Sequence, residues 1–286
     1  MRPFKLILAL LLSLVYLSSC QKELTDDSTG GNNGGGGGGT GGGGSNYNSS
    51  CNNIAMKIKR WQALFDDSDY IAVAWNGDAT IQSIKYNVPL SEYRTATYVH
   101  QNGRVTQAIL YDNMNNQPYD TAVFHYNTAG LVDSMYLKND DWFDISLGYA
   151  NGKINKYTRY ASGSVMFYWD IETDAKGNIS KATEWWNDPG GFTKQTVETY
   201  TRDDRKNPFK DLAPYMFYLN DEYEIFRAWG PNNYTDERFQ DFTGTGIDLT
   251  TGYKYKYNNN CYPNTSQQTI YGQTLFPDDD FQFTYY

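Results

Sequence analysis

Histidine is almost absent: the chain of 286 residues holds two. Zinc sites draw mainly on His and Cys, and a Ser-His-Asp triad needs a His beside its nucleophile. His100 and His125 have no His or Cys at ligand spacing, and the sequence contains no Gly-x-Ser-x-Gly elbow. Both are expected as strand side chains, with no metal, no cofactor and no enzyme activity. Cysteine is scarce too, at three residues, and Lys+Arg 24 against Asp+Glu 33 leaves a net charge of −9. That balance argues against nucleic acid as a partner, because a phosphate-binding face must be basic. The apolar run at residues 6–17 is shorter than the roughly 20 residues that cross a bilayer as a helix. A membrane-spanning barrel fares no better. Along residues 153–160 one face would be Lys153, Asn155, Tyr157 and Arg159, the other Ile154, Lys156, Thr158 and Tyr160, and neither could meet lipid.

What the chain does have is aromatic residues: 26 Tyr, 14 Phe and 7 Trp. A body so aromatic has enough to bury and is not disordered. Ahead of it lie two segments that are not part of a core. Arg2 and Lys5 precede the apolar run, which has the length of a signal h-region. The run ends in Leu17-Ser18-Ser19-Cys20, and here the chain resembles a bacterial lipoprotein precursor with its lipobox. The resemblance implies cleavage before Cys20 and acylation of its thiol and new amino group, which makes residues 1–19 a removable signal. Several acyl chains hold a protein stably to a membrane, where one does so only marginally. The polar, acidic stretch at residues 21–29, Gln-Lys-Glu-Leu-Thr-Asp-Asp-Ser-Thr, resembles the surface-export signals of Bacteroidota lipoproteins.

Twelve of the 26 Gly fall within residues 30–44. Such a run has no side chains to bury, so residues 20–50 read as the lipidated Cys and a flexible tether. Its root-mean-square reach is roughly 30 Å. The Gly-x-Gly-x-x-Gly pattern inside it has no flanking strand or helix and carries no nucleotide-binding weight.

Residues 51–286 are expected as one mainly β domain, an antiparallel meander of consecutive hairpins. Short alternating segments rich in Tyr, Thr, Val and Ile are punctuated by turns. Asn76-Gly77, Asn102-Gly103 and Asn151-Gly152 suit type I′ turns, while Asn127-Thr128-Ala129-Gly130 and Asp174-Ala175-Lys176-Gly177 suit a type I turn closed by a Gly bulge. Gly77, Gly103, Gly130, Gly152 and Gly177 recur about every 25 residues, one hairpin per repeat. The units Tyr126-Asn127-Thr128-Ala129-Gly130-Leu131-Val132 and Tyr149-Ala150-Asn151-Gly152-Lys153-Ile154 resemble the YD repeats of Rhs-type cell-surface proteins, which implies a long antiparallel sheet. Tyr200 to Asn207-Pro208-Phe209, Asn232-Asn233 and Tyr253-Lys254-Tyr255-Lys256-Tyr257 make the chain similar to uncharacterised Bacteroidota outer-membrane lipoproteins with an Asn-Pro-Phe segment. No activity comes with that likeness.

Three segments depart from the meander. Ile54, Ile58, Trp61 and Phe65 are spaced 4, 3 and 4, which predicts a short amphipathic helix over residues 54–65 packed on the sheet. Residues 209–219 allow a short helix that Pro214 interrupts, and residues 230–250 read as an irregular loop.

For function, the expectation is a non-catalytic binding or scaffold module, held at the cell-surface or periplasmic face of the outer membrane by its acyl chains, with a glycan or another surface protein as partner. One alternative is a glycan binder that uses exposed aromatics. Adjacent residues on a strand face opposite ways, so one of Trp185 and Trp186 is a candidate. The other is a glycoside hydrolase, which needs two converging carboxylates, and Glu172, Glu184 and Glu198 lie on expected strands. Asp66-Asp67-Ser68-Asp69, Asn139-Asp140-Asp141 and Asp278-Asp279-Asp280 match no calcium loop and read as solvated. In an exported protein Cys51 and Cys261 are expected as a disulfide. It would close a loop of about 210 residues, on the order of 4–5 kcal/mol by the chain-entropy argument.

Overall fold

The computed structural model describes residues 54–63, 70–87, 94–112, 117–140, 144–216, 226–270, 273–274 and 281–286. The leader, the tether, Cys20, Cys51 and the acidic stretches at residues 66–69 and 278–280 lie outside the described residues. The strands are β1 (Ile58–Ala63), β2 (Tyr70–Trp75), β3 (Ile81–Asn87), β4 (Arg94–Gln101), β5 (Arg104–Asp112), β6 (Gln117–Tyr126), β7 (Val132–Leu137), β8 (Asp144–Ala150) and β9 (Lys153–Ala161). They continue as β10 (Ser164–Thr173), β11 (Ile179–Asp188), β12 (Gly191–Lys206), β13 (Asn232–Asp241), β14 (Asp248–Tyr257), β15 (Pro263–Ile270), β16 (Gln273–Thr274) and β17 (Phe281–Tyr285). From β1 to β15 each pairs antiparallel with the next in sequence, so the meander is real.

Turn chemistry sets that order. Asn102-Gly103 and Asn151-Gly152 both take positive φ, as a type I′ turn requires, and Ser162-Gly163 is a further turn of this kind. Asn76-Gly77 does not. In that turn Asn76 N–H donates to Thr80 O, Ala79 N–H donates to Asn76 O, and Ala79 takes the positive φ of 67°. The same bonding recurs from Asn127, Asp174 and Asn258, with Gly130, Gly177 and Cys261 in the left-handed position. Asn76-Gly77 thus belongs to the bulge-closed class, and its Gly is a bystander.

The sheet closes on itself. β1 pairs with both β2 and β17, and β17 pairs with β15, while β16 adds only a two-residue arm to β15. The result is a closed 16-strand barrel, which leaves no long edge for another chain to extend. The helix expected over residues 54–65 is therefore absent, and β1 is the closing strand. Its misleading spacing comes from a bulge between Ile58 and Arg60, which puts Ile58 and Trp61, three apart, on one face of a strand. The loop expected at residues 230–250 is also corrected, to β13 and the start of β14. The inward face of β13 carries Glu237 and Tyr234, so its alternation lacks the apolar signal of the other strands. Residues 209–219 give a single 3-10 turn, Ala213–Tyr215, within the described part.

Register fixes which side chains meet inside. Val73 faces Ile84, Ile84 faces Ala96, Ala96 faces Leu110, Phe124 faces Met135 and Tyr157 faces Trp169, and all are buried. Each such side chain removed from water contributes about 1.5–3 kcal/mol before entropy costs. Outward positions at mid-strand are mostly polar, with Lys85 beside Thr95, Lys156 beside Asp170, Thr199 beside Arg238 and Lys254 beside Gln267, while Ile109 and Val123 are apolar exceptions that sit beside Thr121 and Gln107. Sixteen strands enclose more space than their own side chains fill. Here the connection between β12 and β13 enters that space. Leu212, Ala213, Met216, Phe226 and Ala228 are buried in one cluster with the barrel strands.

Candidate functional site

The lumenal insertion is held at both ends by the residues that carry the Asn-Pro-Phe likeness. Asn207 Nδ2 donates to Ala228 O at 2.7 Å and Gly230 O at 2.9 Å, while its Oδ1 accepts from Phe209 N–H. Asn232 exchanges hydrogen bonds with Asn178 and donates to Arg205 O. Asn233 donates to Asp203, which also accepts from the Tyr257 hydroxyl. Between them the half-buried Arg202 guanidinium donates to the carbonyls of Phe226, Arg227 and Ile179. These polar residues are a latch: they satisfy the backbone of a segment that would otherwise enter the lumen with unpaired groups. Farther in, Tyr98 Oη donates to Tyr215 O, and the Phe226 ring lies edge-on to Trp169 and Tyr157 at 5.2 and 6.1 Å.

Beside the latch, three carboxylates line up across adjacent strands. Glu198 on β12 faces Ala182, and Glu237 on β13 faces Tyr200, two residues along, which makes the two Glu diagonal neighbours. Glu184 accepts from Thr196 Oγ1 at 3.1 Å and from Trp186 Nε1 at 2.7 Å. Glu237 accepts from Arg227 Nε at 2.7 Å. Glu198 is completely buried; Tyr200 Oη donates to its Oε2, and its Oε1 meets no hydrogen-bond partner among the described residues. Burial pushes the Glu198 carboxyl well above the ordinary glutamate value, and the charge of Glu237 adds to this, against the opposing effect of the Tyr200 hydrogen bond.

The sign of the pH effect follows. A carboxyl raised on folding favours the native state fully below its unfolded pKa, and that contribution is lost as pH rises through the folded value. Glu198→Gln, which holds no charge at any pH, should stabilise the fold near pH 8 by about 1–3 kcal/mol, with the gain shrinking to nothing near about pH 4. Thermal melts of both proteins across that range would show it. A gain that does not depend on pH would mean Glu198 is ionised throughout.

On the other side of Arg227 the lumen keeps a cavity of about 340 Å³. Its walls are mostly aromatic, with Trp61, Tyr86, Tyr253, Tyr255, Phe281 and Phe283 from β1, β3, β14 and β17 and Asn207, Phe209 and Arg227 from the insertion and its latch. Trp61 stacks on Phe281 at 4.6 Å. Arg227 is the one cation on the wall among the described residues, and Glu237 neutralises it at 2.7 Å. No carboxylate lines the cavity among the described residues. A second hollow of about 320 Å³ lies by the turns at Gly130, Gly152 and Gly177, with Lys153, Lys176 and Tyr215 on its walls.

The residues singled out from the sequence are scattered. Trp185 lies on the outer face, stacked near Tyr168 at 6.3 Å, with Phe192 edge-on to Tyr168 at 4.9 Å. Trp186 lies on the lumenal face against Phe167 at 5.6 Å and is 38% exposed. Glu172 pairs with Lys181 at 2.8 Å on the outside, away from Glu184 and Glu198. His100 bonds Ile81 O, and His125 stacks on Tyr136. Asn139 N–H donates to Asp120, and no group of three metal-ligating side chains occurs among the described residues. Cys261 is buried, with Arg205 Nη1 3.1 Å from its sulfur. Sequence reasoning missed Glu237, Arg227 and the cavity. Glu237 fell in the segment read as a loop, and nothing local marks Arg227.

The chain matches no protein-family model and no curated protein. Among solved structures it is similar to a porin-like protein from Bacteroides uniformis ATCC 8492, at 10% identity and TM-score 0.49, over 83% of this chain and 99% of that one. A porin-like protein from Bacteroides vulgatus ATCC 8482 is similar at 10% identity and TM-score 0.43, over 81% and 99%. The TcdB2-TccC3-Cdc42 crystal structure is similar at 11% identity and TM-score 0.30, over 76% of this chain and 13% of that one. These likenesses are too distant to carry an argument about function.

Proposed function

We propose that this protein is an exported barrel, tethered to the outer membrane through acylated Cys20, that acts as a non-catalytic binding module. The observation that carries this reading is the polarity of the barrel: outward mid-strand positions such as Lys85, Lys156 and Lys254 face away from the core, while the lumen is filled by aromatic side chains and by the chain itself. A barrel in lipid has the reverse pattern, and each Lys or Arg at mid-bilayer costs it about 2–4 kcal/mol. A lipidated N-terminus and a Gly tether suit a domain that stands in water beside a membrane. Pairing of Cys51 with Cys261 belongs to the same proposal, since export exposes both to an oxidising compartment.

Fractionation of Cys20→Ala tests the anchor. The variant should lose acyl labelling and leave the membrane fraction; a variant that stays with membranes places the anchor elsewhere.

The glycan-binding alternative has one observation in its favour, the outer-face group of Tyr168, Trp185 and Phe192, with Phe192 43% exposed. Lys156 over the Tyr168 ring at 3.9 Å already uses part of that surface. The hydrolase alternative has Glu184 and Glu198 on one face, but Glu198 is sealed from solvent.

A further inference from the structure

We propose that the lumenal cavity beside Arg227 is a binding site for a neutral, largely apolar, ring-bearing small molecule. The inference deepens the binding-module reading and rests on it. Its volume of about 340 Å³ falls at the lower end of the range of small-molecule sites, which are mostly apolar and aromatic with a few placed polar groups.

Charge decides the class of ligand. The wall's cation, Arg227, is already paired with buried Glu237 at 2.7 Å, so an anion entering the cavity would have to compete with that pair. A cation would find no carboxylate on the wall among the described residues. Among the described residues either ion would give up its hydration with no unpaired opposite charge on the wall to meet it, which makes a charged ligand costly.

Hydrogen bonding narrows it further. Asn207 spends its donors on Ala228 O and Gly230 O, Asn233 spends its own on Asp203 and Lys206 O, and Gln268 Nε2 donates to Tyr253 Oη. Among the described residues the Ser266 and Tyr255 hydroxyls remain for a ligand, too few for one dense in hydroxyls. What the wall offers is ring faces: Trp61, Tyr253, Phe281 and Phe283 surround the space, and stacked or edge-on contacts to a bound ring add to its burial.

The test uses the mature lipidated chain in lipid nanodiscs, photolabelled with a neutral trifluoromethyl phenyl diazirine and mapped by mass spectrometry. Label should appear saturably on β1, β14 and β17, and be competed by neutral phenylnaphthylamine but not by anionic anilinonaphthalene sulfonate. Ser266→Phe and Ala228→Leu each add bulk to the cavity wall and should each abolish the lumenal label, while Trp185→Ala on the outer face should leave it unchanged. Label confined to the Trp185 and Phe192 strands, lumenal label undiminished in both filled variants, or equal competition by the sulfonate would overturn the proposal. If the filled variants fail to fold, the selectivity between the two competitors on the wild-type chain still decides it. Each of these failures leaves the Cys20 fractionation result standing, and loss of the anchor would in turn leave the lumenal label intact, so the two readings fail separately.

Discussion

Arg227→Ala should cost about 3–5 kcal/mol of folding stability at neutral pH, because removing the half-buried arginine strands the buried Glu237 carboxylate. Glu237 is 3% exposed, and Arg227 reaches it through both Nε and Nη2 at 2.7 Å. Glu198 lies diagonal to Glu237, so the stranded charge would also sit beside a second buried carboxyl. Two companion results identify the cause. Glu237→Gln in the same chain should recover most of the loss, and the loss should shrink in acid, where no carboxylate remains charged. Urea denaturation of the two single variants and the double variant measures all of this. An Arg227→Ala loss that Glu237→Gln does not reduce would assign the arginine a packing role against Tyr234 instead.

The second large effect belongs to the lumenal insertion. Phe226 is completely buried between Trp169 and Tyr157, and a Phe→Ala truncation at such a site costs about 3–5 kcal/mol. For a domain of this size that corresponds to a fall in Tm of about 6–20 °C. The insertion should loosen as well. Amide exchange at Tyr215 and Met216 should accelerate more than exchange in β5 or β6. If Phe226→Ala melts within a degree or two of wild type, the barrel does not depend on its lumenal segment, and the segment is a passenger.

The hairpin order was legible because turns are local. Asn-Gly pairs and the Asn-x-x-Gly bulge announce themselves in four residues, and the alternation between them is driven by burial of one face. Barrel closure was not legible. It depends on β1 meeting β17, more than 200 residues apart, and the bulge at Ile58 disguised β1 as a helix. Where the lumen turns polar the alternation itself disappears. The inward side of β13 pairs Glu237 with Arg227 from the insertion, a contact between segments that no spacing rule connects. What Asn207, Asn232 and Asn233 do was not legible either, since they act on backbone groups brought together only by the fold. Strand placement alone offered Glu172, Glu184 and Glu198 as candidate carboxylates, and Glu172 falls on the outside, apart from Glu184 and Glu198. The latter two do share a face, and what their sequence positions could not convey is that the face is closed.

The claim on which the rest depends is that the barrel's outer wall faces water while the protein is held at a membrane. Single cysteines at Lys85, Asp170 and Lys254, exposed positions on β3, β10 and β14, sample that wall at three places around its circumference. With the lipidated chain in nanodiscs and a membrane-impermeant maleimide as probe, all three should react as fast as they do after detergent is added. Protection of all three until the lipid is dissolved would contradict the claim and put the barrel in the bilayer.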